Sequence, residues 1–326
     1  MNELITQEKR PSIAGTIFKQ LANFNTLYDY HTSLARKYGT CRLVTPTQSE
    51  VFIFDPVNVE HVLKTKFSNY CKGLYSHEVM KDLFGDGIFT VDGDKWRHQR
   101  KLASHEFSTK VLRDFSSLVF FANATKLVEK VSDAATSNRL IDLQEVLMKS
   151  TLDSIFKVGF GIELNSLSGS DEGGIKFAKT FNNASVNVFW RFGDPIWKIK
   201  REIREPTKGT RSLSIDEFMK LVTEDVLDSM QYLQAALAET LRIYPPVASD
   251  RKSAVNDDIL PDGFKVKKGD GIVYAPYAMG RMTFIWGEDA EDFRPERWIQ
   301  NGVFQAESPF KYTAFQVIIL LHRQKV

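Results

Sequence analysis

The helix that ends at Ile243 sets the tightest constraint on this chain. Leu227, Met230, Leu233, Leu237 and Leu241 recur at helical period and predict one apolar stripe within residues 224–243. Glu239 and Arg242, three apart, fall together on the far side. On spacing alone such a pair reads as an exposed ion pair contributing ~0.2–0.5 kcal/mol. Its neighbours point elsewhere. Gln231, Ala235 and Ala238 share that side, and small or neutral side chains let another segment approach closely. A buried pair needs further hydrogen bonds to offset its desolvation. A third charged group is therefore expected, with Arg294-Pro295-Glu296-Arg297-Trp298 as its source. Pro245-Pro246 ends the helix, because proline cannot continue the hydrogen-bond ladder.

Helical spacing also covers Thr26 to Lys37, Lys95 to His105, most of Ser108 to Gly159 with a break near Ser137-Asn138-Arg139, Ile175 to Phe192 and Ser214 to Leu221. Asp55-Pro56 supplies an N-cap and an N1 proline for a helix carrying Val59, Val62 and Leu63. Short β runs are expected at Cys41 to Val44, Val51 to Phe54, Phe264 to Val266 and Ile272 to Ala275, with turn residues between them. Cys71 is expected in a loop, and Ser166 to Gly174 reads as a polar loop. The character changes abruptly after Lys200, where Arg201 to Arg211 is densely charged. The expected class is mainly α with a smaller β part, an α+β arrangement.

A length of 326 residues can bury a sizeable core. The formal charge of +2, with Lys and Arg scattered, leaves no electrostatic footprint for nucleic acid. Cys41 and Cys71 are the two cysteines, and neither has a second Cys or a His at metal-site spacing, which removes zinc and disulfide scaffolds. Asp92-Gly93-Asp94 lacks the later glycine and closing glutamate of a calcium loop. No stretch approaches the ~18 consecutive apolar residues of a spanning helix, and the N-terminus is too polar for a signal peptide. The chain is accordingly expected to be cytosolic or peripheral, without a membrane span. The sequons at Asn123 and Asn183 then have no access to glycosylation.

Glu239-Thr240-Leu241-Arg242, Tyr244-Pro245-Pro246 and Phe293-Arg294-Pro295-Glu296-Arg297-Trp298 together resemble the cytochrome P-450 heme-thiolate monooxygenases. The resemblance implies a structural triad of Glu239, Arg242 and Arg297 that holds the core around the heme. Trp96-Arg97-His98-Gln99-Arg100 is similar to the family's WxxxR helix, which implies that Trp96 and Arg100 donate to a heme propionate. Both are donor-only groups on one helical face. Gly85-Asp86-Gly87-Ile88-Phe89-Thr90-Val91-Asp92-Gly93, His105-Glu106-Phe107-Ser108, Asp153-Ser154-Ile155-Phe156-Lys157-Val158 and Tyr277-Ala278-Met279-Gly280-Arg281-Met282 resemble the plant fatty-acid ω-hydroxylase clan. That clan inserts oxygen at the methyl end of long-chain fatty acids. For a complete member, the resemblance implies electrons from an NADPH-dependent reductase and a place on the cytosolic face of the endoplasmic reticulum. Apolar residues in a loop from Leu74 to Phe89, with others near Val247, are expected to hold substrate.

Two departures from the family pattern shape the remaining expectations. The approach to the heme loop, Ser308 to Gln316, is present, but Val317 to Val326 follows where Gly, Arg and the ligand Cys belong. His322 occupies the cysteine slot without the glycine that lets the backbone pass the porphyrin, and is read as coincidence. The [AG]GxxT[TS] motif of the oxygen-handling central helix is also absent. The chain is thus read as a single partial domain over 1–326 with an internal deletion near 198–201 and a match ending after 316. As written it is expected to be inactive and poorly folded, since each large side chain left facing a void costs about 2–5 kcal/mol. A non-catalytic lipid-binding or regulatory remnant of the same fold is the alternative.

Overall fold

The β-branched and aromatic runs at residues 40–54 and 271–274 lie far apart in sequence and meet in one sheet. The computed structural model describes residues 19–20, 22–44, 49–106, 116–169, 172–192, 197 and 231–314. In chain order its principal elements are α1 (Leu27–Tyr38), β1 (Thr40–Val44), β2 (Ser49–Ile53), α2 (Pro56–Glu60), β3 (Tyr70–Cys71), α3 (Gly73–Phe84), α4 (Gly93–Glu106), α5 (Ser117–Thr136), α6 (Leu143–Phe160), α7 (Glu172–Arg191), α8 (Gln231–Ile243), β4 (Asp250–Ala254), β5 (Asp258–Ile259), β6 (Lys265–Val266), β7 (Gly271–Tyr274), α9 (Pro276–Met279), α10 (Thr283–Trp286), β8 (Ile299–Gln300) and β9 (Val303–Phe304). Helix dominates with a smaller β part, as expected. The helix read at 214–221, the start of the one read at 224–243, the charged stretch after Lys200 and His322 lie outside the described residues.

Three details differ from the sequence reading. Cys71 sits in β3 rather than a loop, paired with Ser253 of β4. The segment from Leu74 to Phe84 is helix, and it ends where Gly85 takes a left-handed φ of 54°. The polar loop expected over 166–174 gives way to α7 at Glu172, and Leu74 and Val247, at the expected substrate-holding stretches, are 83% and 52% exposed. The strand β4, Asp250-Arg251-Lys252-Ser253-Ala254, had no period-2 apolar signal to reveal it.

The described residues divide into two compact units, the first from 1–78, 86–97 and 229–326 and the second from 79–85 and 98–228. In the first, the five-stranded sheet runs β1-β2-β7-β4-β3. β2 and β7 pair in parallel, with Val51 opposite Ile272 and Phe52 opposite Val273, while the other pairs are antiparallel. Leu43, Val51, Ile53 and Ile272 are fully buried beneath Leu34 and Ala35 of α1 and Val59 of α2. Asp55 caps α2 by accepting from the Val57 N–H at 2.8 Å, with Pro56 at the first helical position. Arg42 donates to Asp270 at 2.6 Å and to the Lys265 carbonyl at 2.8 Å, and both charges are buried. β4, between β7 and β3, is held by polar contacts as well as its ladder, since its Arg251 reaches Glu50 of β2 at 3.3 Å. Asp92, set aside above as a calcium ligand, accepts from the backbone N–H groups of Lys72 and Gly73 at the start of α3.

The second unit is built on the hairpin of α5 and α6. Its interior is unusually polar: Asn123 donates to Ser154 at 2.9 Å, and Ser154 to the Ser150 carbonyl at 2.8 Å. Asp153 accepts from the Ser166 hydroxyl at 2.6 Å and the Leu167 N–H at 3.0 Å, which folds the loop after α6 back onto the hairpin. Asn123 is buried at 5% exposure and is thereby no glycosylation acceptor in the folded unit.

His31 of α1 is buried against the Phe52 ring, 4.6 Å between centroids, and neither ring nitrogen meets a hydrogen-bond partner among the described residues. Burial pushes its pKa down to about 4. Between about pH 6.5 and 4 the unfolded chain therefore binds a proton that the folded chain does not. Stability falls across that window as pH drops, by up to about 3 kcal/mol in this unit. His31→Leu is expected to flatten the dependence, read as urea midpoints at pH 7 and 5.

Candidate functional site

Helix α8 positions Glu239 and Arg242 one turn apart on the side lined by Ala235 and Ala238. Glu239 is 0% and Arg242 2% exposed. Of the apolar stripe, Leu237 is 56% exposed and Leu241 half-buried, and the side chains of Leu227, Met230 and Leu233 lie outside the described residues. The small side chains prevail because α10 and the turn at Pro295–Trp298 pack against them, in a cluster with Trp286, Ala290 and Trp298.

One carboxylate collects five donors. Arg242 grips it in bidentate fashion, Nε to Oε2 at 2.7 Å and Nη2 to Oε1 at 2.8 Å. The Arg294 backbone N–H and Arg297 Nε reach Oε1 at 2.8 and 2.9 Å, and the Trp298 indole reaches Oε2 at 2.9 Å. The expected third charge is thus Arg297. Arg294 N–H and Trp298 are partners that sequence reasoning missed, although they flank Arg297 in the same turn. The remaining guanidinium protons are used as well: Arg242 donates to the carbonyls of Gly280, Ala290 and Asp292, and Arg297 to those of Trp286 and Asp289.

Burial by itself would push the Glu239 carboxyl up. The hydrogen bonds from Arg242, Arg294, Trp298 and Arg297 together outweigh it, so the net shift is downward. Gly280 lets this happen: a Cβ there would stand 2.2 Å from the Arg242 carbonyl oxygen, a backbone atom that cannot yield. The arrangement can hold three segments together and has no group free for chemistry.

Trp96 lies in α4 of the first unit. Its ring packs 5.6 Å from Phe67, and Lys72 Nζ stands 5.2 Å over it. Lys72 also donates to the Val91 carbonyl at 2.7 Å, and burial followed by the Lys252 charge lowers its pKa to about 8. Arg100 is one helical turn further along and belongs to the second unit. It is half-buried, which lowers its pKa.

A family model described as Cytochrome P450 matches residues 9–220 and 198–316. The chain belongs to the cytochrome P450 family. It is 39% identical to "Cytochrome P450 704C1" of Pinus taeda, over 94% of this chain and 81% of that protein. It is 33% identical to "Cytochrome P450 704B1" of Arabidopsis thaliana, over 93% and 83%, and 31% identical to "Cytochrome P450 94A1" of Vicia sativa, over 82% and 70%. The first of these alignments runs over 419 positions although the chain has 326 residues, so at least 93 positions of the relative face gaps in this chain.

A cytochrome P450 implies a heme cofactor. Trp96 and Arg100 are donor-only groups of the kind that bind carboxylates. Cys41 is fully buried in β1 with its thiol pushed up to about 12 by burial, and Cys71 is pushed up by burial and then by Asp92. In this family the axial ligand of the heme iron is a cysteine thiolate. Among the described residues, no group of three His, Cys, Asp or Glu could hold a metal ion.

Glu239→Gln leaves the buried Arg242 without a counterion, while Arg297 keeps only Asp289 at 3.4 Å, and is expected to cost about 3–5 kcal/mol, most of a typical domain's stability. It should also remove the part of the acid sensitivity that this carboxylate supplies, leaving the part due to His31. A depressed carboxyl stabilises the fold above its unfolded pKa, and that contribution is lost as pH falls through the folded value. Chemical denaturation of both chains at pH 7 and 3.5 checks both effects. Gly280→Ala should destabilise by more than ~1 kcal/mol, through overpacking against backbone. Thermal melts of the two chains test it.

Proposed function

We propose that this chain derives from a heme-dependent monooxygenase acting on long-chain fatty acids, and that the 326-residue polypeptide does not carry out the reaction itself. Four strings support the substrate class, at Gly85–Gly93, His105–Ser108, Asp153–Val158 and Tyr277–Met282, which together resemble the ω-hydroxylase clan. The gap of at least 93 positions against the Pinus taeda relative, and the division of the family match between 198 and 220, support a segment missing near residues 198–201. The observation that carries the loss of activity is Cys41, whose thiol is locked in the sheet and held protonated.

Heme, when bound, supplies the activation of dioxygen. This chain's part is to hold the cofactor's carboxylates through Trp96 and Arg100, and to fix the surrounding turns through Glu239, Arg242 and Arg297. A complete enzyme of this kind takes electrons from an NADPH-dependent reductase at the cytosolic face of the endoplasmic reticulum. No helix among the described residues is long and apolar enough to cross a membrane.

The test is a spectrum of the purified chain reconstituted with heme, reduced and exposed to carbon monoxide. No thiolate-type Soret band is expected, and Cys41→Ser should leave the spectrum unchanged. A thiolate-type band would overturn the proposed inactivity. The substrate class is tested by tryptophan fluorescence with a saturated long-chain fatty acid and its methyl ester. A saturable response to the acid alone supports it, and equal or absent responses to both overturn it.

A further inference from the structure

Lys72 and Lys252 oppose each other at the margin of the five-stranded sheet. β3 and β4 run antiparallel with Tyr70 opposite Ala254 and Cys71 opposite Ser253, so the next step of that register sets Lys72 against Lys252. Like charges directly opposite one another are destabilising. The two carboxylates whose charge reaches Lys72 are already committed. Asp92 accepts from the backbone N–H groups of Lys72 at 2.8 Å and Gly73 at 3.0 Å, one on each oxygen. Asp250 accepts from the Tyr274 hydroxyl and the Arg251 N–H. Lys72 Nζ is left with the Val91 carbonyl at 2.7 Å, and the Lys252 ammonium makes no hydrogen bond or ion pair among the described residues. The half-buried Trp96 ring lies 5.2 Å from the Lys72 ammonium. The backbone here has little play: Gly73 takes a φ of 79°, and a Cβ on it would stand 2.7 Å from Ser253 Oγ. All of these residues belong to the first unit.

We propose that Lys72 forms an imine with aromatic aldehydes that carry an anionic group, the anion lying on Lys252 and the flat ring beside Trp96. The anion is the counterion that the two opposed lysines lack. In the step itself the amine nitrogen adds to the carbonyl carbon. The carbonyl oxygen then leaves as water with the two amine hydrogens, and a C=N bond replaces C=O. Only the unprotonated amine can add, and desolvation with a second cation nearby is what activates a lysine in this way. Both are present: burial first and the Lys252 charge second hold the Lys72 pKa at about 8, outweighing Asp92, Asp250 and Cys71. Roughly a quarter of it is free amine at about pH 7.5, against about a thousandth for an ordinary lysine. The proposal does not depend on the chain's relation to heme.

Labelling of the full 326-residue chain, without added heme, by pyridoxal 5′-phosphate tests it, with borohydride to fix the imine and peptide mass mapping to locate it. Lys72 is expected to label first and saturably, ahead of exposed lysines such as Lys267 by about ten-fold or more. 5′-Deoxypyridoxal, which lacks the phosphate, should label Lys72 about ten-fold less, the loss of one charge-assisted contact. Lys252→Gln should erase that preference while far-UV circular dichroism is retained. Lys72→Arg keeps the charge and should lower total incorporation to that of the exposed lysines. Labelling of exposed lysines ahead of Lys72, equal labelling of Lys72 by both aldehydes, or a phosphate preference that survives Lys252→Gln would each overturn the proposal.

Discussion

A single carboxylate, Glu239, does the work of a small core. It is buried completely, which by itself is unfavourable, and it stays ionised because five donors from four residues converge on it. The two arginines it neutralises spend their other protons on backbone carbonyls of the turns at Gly280, Trp286, Asp289, Ala290 and Asp292. Those segments contain little regular structure that could satisfy their own carbonyls. The ion cluster therefore substitutes for secondary structure, with α8 as its rigid base.

The same logic recurs elsewhere at smaller scale. Arg42 and Asp270 bridge β1 to the turn before β7 and take in the Lys265 carbonyl. Asp153 captures the loop behind α6 through two N–H groups and a hydroxyl. In each case a buried charge tolerates its surroundings because its hydrogen-bonding capacity is filled, as the physics of desolvation demands. Membership of the cytochrome P450 family agrees with the first of these clusters, since its residues are the ones that carry the resemblance.

Residue patterns revealed the parts of this fold whose signals are local. The stop at Gly39, the Asp55-Pro56 cap and the ends of α5 and α6 follow from turn and cap chemistry within a few residues. The triad was legible because small neighbours betrayed a buried face on α8. What stayed hidden depends on distant partners. β4 carries charges that make sense only beside Glu50 and Tyr274, and Leu237 reads as core although no described neighbour covers it. α3 was taken as loop because its apolar residues are interrupted by His77, Glu78 and Lys81, and its stop signal at Gly85 was assigned to the following turn. The buried polar contact between α5 and α6, Asn123 with Ser154, could not be read from periodicity, because only the partner helix decides which polar groups are covered.

Cys41 carries a consequence that concerns time rather than structure. Its sulfur lies in a strand bonded to β2 along its length, with no exposed surface, whereas Cys71 is half-accessible at the sheet margin. The two thiols consequently keep different clocks. A soluble alkylating reagent reaches Cys71 in the folded chain, but it reaches Cys41 only during those moments when β1 parts from its neighbours. The interval between the first and second labelling events is a direct record of how often the edge strand β1 parts from β2.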